Sequence, residues 1–266
     1  MKATLITGAS GGIGEAIAKK LAARKQNLIL VARNEARLKI LAGQLTQQYA
    51  VSVSYIAADL SKSDAAQMVF DTTQSRNMSI EILINNAGIG SGGEFADIPL
   101  QSELDMLQLN ILSLVALTHL YLNDMKTRKS GTIINVASMA SFMPVPYMTS
   151  YSASKVFVRH FTQALTQEAK PYNIHVMLLC PGLTKTNFNV AAGITNEISK
   201  GLNTEYDAST QSPEQVADEL LKALDKRKYH IVSGRMNRIA AILSALLPNT
   251  FLVGTFAASY RKRLNN

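Results

Sequence analysis

The chain has 266 residues, 47% hydrophobic and 17% charged, with one Cys and a formal net charge of +8. That balance suits one sizeable folded core and excludes disordered, collagen-like and disulfide-scaffold classes. The charge is local: residues 222–266 hold nine Lys or Arg against one acid, and the remainder holds 18 of each sign, so no basic face for nucleic acid is expected.

In chain order, short apolar runs alternate with helix-period stretches. The runs are 3–9, 27–33, 51–59, 80–88, 131–138 and 174–182, with 229–234 a candidate seventh. The helical stretches are 15–25, 35–49, 63–76, 102–129, 150–170 and 213–226. This alternation predicts an α/β fold: a Rossmann-like doubly wound parallel sheet in three α/β/α layers. No linker or repeat divides 1–266, so one domain is expected, with 235–266 as its helical C-terminal extension. Ligands of such sheets sit beyond the carboxyl ends of the strands. No run of 18 apolar residues is present and the first ten residues carry no leader pattern, so no membrane span is expected. His119, His160, His175 and His230 lack metal-ligand spacing, and Cys180 reads as a buried thiol. A cytoplasmic protein without a metal is the expectation.

The first run ends in "TGASGGIGEA" (7–16). Its glycines permit a tight turn and close approach of a phosphate to a helix N-terminus. The dinucleotide fingerprint GxGxxG is not met, because Ile17 stands where the third Gly belongs; a plain strand–helix turn is the other reading. The second run ends in Ala32-Arg33, with no acid for a ribose 2′-hydroxyl. Arg33 either meets a 2′-phosphate or heads a solvated, charged helix. In "TSYSASKVF" (149–157), Tyr151 and Lys155 lie four apart and share a helix face. A cation so near favours the phenolate and draws the tyrosine pKa down.

"TGASGGIG" (7–14), "AADL" (57–60), "NNAG" (85–88), Asn110, Ser138, Tyr151-x-x-x-Lys155 and Pro181-Gly182, in this order and spacing, resemble the short-chain dehydrogenase/reductase family over about residues 1–233. The C-terminus is similar to the branch that includes ketoacyl and ketosteroid reductases. The resemblance implies an NADPH-dependent interconversion of carbonyl and alcohol by hydride transfer. It assigns Tyr151 as proton donor or acceptor, and Lys155 to the nicotinamide ribose and to lowering the phenol's pKa. Ser138 would hold the substrate oxygen, and Asn110 would order a water behind Lys155. NADP(H) would be held by Gly8, Ser10, Gly11, Gly12, Ile13 and Gly14, with Arg33 at the 2′-phosphate. Asp59 and Leu60 would meet the adenine, Asn86, Ala87 and Gly88 the ribose, and Pro181, Gly182, Thr184 and Thr186 the nicotinamide end. A homodimer is implied.

The Met-rich 139–148 and the polar 187–209, a candidate mobile lid, flank this site. Apart from Lys185 and Lys200 near the lid, no basic residue marks a carboxylate pocket, so an uncharged or apolar substrate is expected. Two other classes stand beside the enzyme: a non-catalytic NADP(H)-binding scaffold, and a membrane- or partner-binding module resting on the basic C-terminus. In that segment Ile239, Ile242, Leu243, Leu246 and Leu247, then Phe251, Leu252, Phe256 and Tyr260, recur at helical spacing across Pro248. Both faces are expected to pack on their own subunit or its twin beside the substrate mouth, with peripheral membrane contact second.

Overall fold

The apolar runs form seven parallel strands: β1 (Lys2–Thr7), β2 (Leu28–Ala32), β3 (Val53–Ala57), β4 (Ser79–Asn85), β5 (Gly131–Val136), β6 (Ile174–Cys180) and β7 (His230–Val232). The computed structural model describes residues 1–192, 194, 196–202, 206 and 210–264. The strands lie in the order β3-β2-β1-β4-β5-β6-β7, so the winding reverses between β1 and β4. Helices α1 (Gly12–Ala23), α2 (Glu35–Tyr49) and α3 (Ala65–Ser75) follow the first three strands. After β4 come α4 (Leu100–Leu107) and α5 (Ser113–Arg128), joined through a π turn at Gln108–Leu112. Then follow α6 (Thr149–Ala169), α7 (Phe188–Ala191), α8 (Asn196–Leu202) and α9 (Pro213–Asp225), and after β7 α10 (Arg235–Leu246) and α11 (Asn249–Leu264).

The period-2 pleat of the strands sorts the core into two layers. Ile6, Leu30, Ile84 and Ile134 face α1, α2 and α9, where Ile17, Leu38 and Leu220 meet them. Their neighbours Leu5, Ile29, Leu83 and Ile133 face α3, α5 and α6, against Val69, Tyr121 and Leu165. Burial on both faces is why the strands read as unbroken apolar runs rather than alternating ones.

A buried polar chain crosses the second layer. Asn85 on β4 donates to Thr118 of α5 at 3.0 Å and to Asn135 of β5 at 2.9 Å, and Asn135 donates to Thr162 of α6 at 3.0 Å. Strands β4 and β5 pair Asn85 with Asn135. A slip of either strand would strand these amides without partners, so the chain fixes register and ties both helices to the sheet.

The rod Leu100–Arg128 is long and apolar enough to cross a membrane by length and composition; its Ser, Thr and Asn hide it from a count of consecutive apolar residues. In the fold it is a core helix, with Leu117, Tyr121 and Met125 buried on the sheet. The segment 187–209 contributes the short helices α7 and α8, while 193, 195, 203–205 and 207–209 lie outside the described residues. Of the C-terminal helices, α11 packs against α8 and inserts Tyr260, whose ring stacks on Tyr147 at 3.6 Å. Helix α10 buries Ala241 but leaves Ile239, Ile242, Leu243 and Leu246 exposed, so its apolar face is not packed on its own chain.

The glycines of the first turn serve different needs. Gly8 and Gly12 have φ of +66° and +55°. A Cβ on Gly14 would lie 2.4 Å from the carbonyl oxygen of Gly8, whereas one on Gly11 would meet nothing within 4 Å. Gly14→Ala therefore lowers stability by about 1–3 kcal/mol, which in a chain of this size costs roughly 2–4 °C in Tm per kcal/mol. Gly11→Ala leaves Tm unchanged. Thermal denaturation followed by circular dichroism checks the contrast.

Candidate active site

A cleft of about 720 Å³ opens at the carboxyl ends of the strands, across the point where the winding reverses. Every residue singled out from the sequence as catalytic or cofactor-binding lines it, apart from Gly14 and Asn110. Gly14 sits behind the turn as a packing glycine. Asn110, 1% exposed, lies in the π turn behind Gly88. Its side-chain oxygen accepts from Ile89 N at 3.1 Å, and its amide donates to Ile89 O at 2.9 Å and to Ser154 Oγ at 3.1 Å. The side chain is thus committed to protein partners.

The phenol and the ammonium come from the first turns of α6. Tyr151 and Lys155 are buried side by side, with the Lys155 Nζ 5.9 Å from the Tyr151 ring centroid. Small neighbours leave room for them, and Ser154 Oγ turns back to the Tyr151 carbonyl at 2.7 Å. Lys155 Nζ donates to Val136 O, at the end of β5, at 3.1 Å. A Cβ on Gly88 would lie 3.2 Å from that nitrogen.

Burial dominates both pKa values. It pushes Tyr151 up to about 12, offset in part by the Ser138 hydroxyl. It pushes Lys155 down to about 8. With the ammonium bonded to a carbonyl and 5.9 Å from the ring centroid, loss of water is the larger influence on the phenol. At neutral pH the phenol keeps its proton.

Ser138 begins the turn Met139–Ser141, where its Oγ accepts from Ala140 N at 3.1 Å. Sequence reasoning missed what holds that turn. Ser141 Oγ donates to Ser138 O at 2.6 Å, and Arg159 Nη1 on α6 donates to Ser141 O at 3.0 Å while stacking over Phe142 at 4.1 Å. Arg159 thus straps the Ser138 turn to the helix bearing Tyr151. Its place one turn beyond Lys155 was the available signal. Thr7 was missed too: its Oγ1 accepts from Asn86 N at 3.0 Å and Ala87 N at 2.9 Å, pinning "NNAG" against the first turn. The Asn86 amide completes the contact, donating to Thr7 O at 2.9 Å.

At the other end of the cleft, Arg33 stands exposed at the end of β2, with Lys19 and Arg37 also on the wall. Asn34 caps α2 by accepting from Arg37 N at 3.0 Å. Burial works against ionising Asp59, but hydrogen bonds from Ser61 and the charges of Arg33 and Lys62 outweigh it, so its carboxyl stays below the usual range. The Tyr151 end is apolar: Met139, Met148 and Phe188 line it, and the Phe188 ring lies 5.5 Å from that of Tyr151. Lys185 is on the wall as well, and the Lys200 side chain lies outside the described residues.

A family model described as short chain dehydrogenase matches residues 2–197. The chain belongs to the short-chain dehydrogenase family. Dehydrogenase/reductase SDR family member 7B of Xenopus laevis is 31% identical over 265 residues, covering 97% of this chain and 82% of the relative. A very-long-chain 3-oxoacyl-CoA reductase of Anas platyrhynchos is 36% identical over 191 residues, covering 70% of this chain and 60% of that protein. Among solved structures, a short-chain dehydrogenase from Sphingobium yanoikuyae in complex with NADPH superposes with a TM-score of 0.80 at 30% identity, covering 87% of each chain. This short-chain dehydrogenase is accordingly an oxidoreductase acting on a carbonyl–alcohol couple. Its cleft fits the family's nicotinamide dinucleotide: the first turn delivers the N-terminus of α1 to the cleft, and the space beside Gly11 is open for a phosphate.

The depressed Lys155 pKa makes a linkage prediction. Below pH 8 the folded chain must bury an ammonium, a cost the unfolded chain avoids. Between about pH 8 and the ordinary lysine value the folded form binds fewer protons than the unfolded, so stability gained from deprotonation rises with pH. Without dinucleotide, Lys155→Met is therefore more stable than wild type at pH 7, and the Tm difference shrinks as pH rises through 8 towards 10.5. Thermal denaturation of both proteins across that range checks it.

Proposed function

We propose that this short-chain dehydrogenase reduces an uncharged, apolar ketone or aldehyde with NADPH, the reverse oxidation using the same groups. One observation carries the reading: Tyr151, Lys155 and Ser138 converge on the apolar end of a cleft that carries Arg33 and Arg37 beyond the second strand. The bound dinucleotide supplies the hydride. Tyr151, protonated at neutral pH, donates its phenolic proton to the substrate oxygen. Ser138 Oγ hydrogen-bonds the same oxygen and stabilises the charge that develops there. Lys155 Nζ holds the nicotinamide ribose and, with a pKa near neutrality, returns the proton to the phenol. Asn110 acts behind them, fixing Ile89 and Ser154 in place.

NADPH is favoured over NADH because Ala32-Arg33 offers no acid to a 2′-hydroxyl, while Arg33 and Arg37 stand where a 2′-phosphate would lie. The NADPH in the Sphingobium yanoikuyae structure supports this choice. Substrate class follows from the wall of Met139, Met148 and Phe188, and the relative named for a 3-oxoacyl-CoA is in keeping with a carbonyl on a long apolar chain. The exposed Leu104, Leu112 and Phe157 on α4, the π turn and α6 are assigned to a second copy of the chain.

Two substitutions test the reading. Tyr151→Phe keeps the ring and removes the proton, so turnover falls by about 10²–10⁴ while NADPH titration stays unchanged; ketone reduction at the wild-type rate would refute the assignment. Arg33→Ala removes a charge-assisted contact of about 1.5–3 kcal/mol, so the preference for NADPH over NADH drops by roughly one to two decades. Equal kcat/KM for the two coenzymes in the wild type would exclude the phosphate role.

A further inference from the structure

Helix α10 carries an apolar stripe that nothing among the described residues covers. Ile239, Ile242, Leu243 and Leu246 are 44%, 63%, 53% and 75% exposed. At 100° per residue they occupy about a third of the helix circumference. Leu247 and Phe251, 43% and 61% exposed, carry the stripe past Pro248 into α11. The opposite side of α10 is the packed one, with Ala241 buried and Asn237 against Gly182. A monomeric surface rarely leaves so many contiguous large apolar side chains in water without a use.

The charge around the stripe selects its occupant. Helices α10 and α11 contain five basic residues, Arg235, Arg238, Arg261, Lys262 and Arg263, and no acid. Arg238 pairs with Glu219 of α9 at 3.3 Å, while Arg235, Arg261 and Lys262 are exposed. A second copy seated here about a twofold axis would set basic surface against basic surface. An anionic lipid surface offers the opposite charge together with an apolar layer beneath it.

We infer that α10 and the start of α11 seat this protein on an anionic lipid bilayer, with the stripe in the headgroup–acyl boundary. Asn237 contacts the Pro181-Gly182 turn at one side of the cleft, and Phe256 and Tyr260 of α11 pack into the apolar cluster that contains Tyr151. The seat therefore adjoins the apolar end of the cleft. On the function proposed above, a carbonyl substrate dissolved in lipid reaches the site without crossing bulk water. Lipid binding itself is read without turnover, so its failure is distinguishable from failure of that function.

The test uses the full chain with sedimented vesicles of phosphatidylcholine alone or mixed with phosphatidylglycerol. The wild type partitions to the mixed vesicles, and added salt weakens this because the charge attraction is screened. Ile242→Glu with Leu246→Glu lowers partitioning by about tenfold or more, with Tm and NADPH oxidation on a small soluble ketone unchanged. Because the chain has no Trp, Leu246→Trp is a second, gentler probe whose emission shifts to the blue on the mixed vesicles. Absent partitioning of the wild type, no spectral shift in Leu246→Trp, or partitioning that survives the double Glu variant would each overturn the inference. So would a double Glu variant that falls apart to a smaller assembly, since a second copy would then be the occupant.

Discussion

The charge on Lys155 is the constraint around which the site is organised. The residue is 5% exposed and its ammonium is held by the carbonyl of Val136. Taking such a group from water is unfavourable by several kcal/mol unless partners are fixed in advance. Those partners are fixed by the sheet: β5 ends at Val136, and α6 is tied to β5 by Asn135 and Thr162. Gly88 leaves the room a side chain would take, and Asn110 and Ser154 hold the wall behind it. Position therefore passes from the strand register to the helix and from the helix to the lysine.

The same dryness sets the chemistry of the pair. Removing water disfavours the charged form of each group, which raises the phenol and lowers the amine. Their proton affinities diverge in opposite directions from the usual values, so the phenol stays loaded and the amine exchanges near neutrality. The tuning thus belongs to the cavity as a whole.

Legibility in the sequence follows physical lines. The strands were readable because burial on both faces leaves unbroken apolar runs, and Tyr151 and Lys155 were readable because four residues make one helical turn. Spacing reports nearness but not dielectric, so the effect of burial on the phenol was not legible. The Asn85–Asn135 chain and Thr7 were not legible, since polar residues inside apolar elements show no period until their partners are known. Glycines in one turn look alike in sequence, yet Gly14 meets backbone and Gly11 meets open space. For α10, helical periodicity announces an apolar face and says nothing of what lies against it.

The stacking of Tyr147 on Tyr260 joins two parts of the chain that lie far apart in sequence. Strands β1 to β6 and the residues lining the cleft all precede α11. Tyr147, Val145 and Met148 take their cover from Phe256 and Tyr260. A truncation before α11 would therefore spare the turns at the strand ends and lay open the apolar wall beside Tyr151.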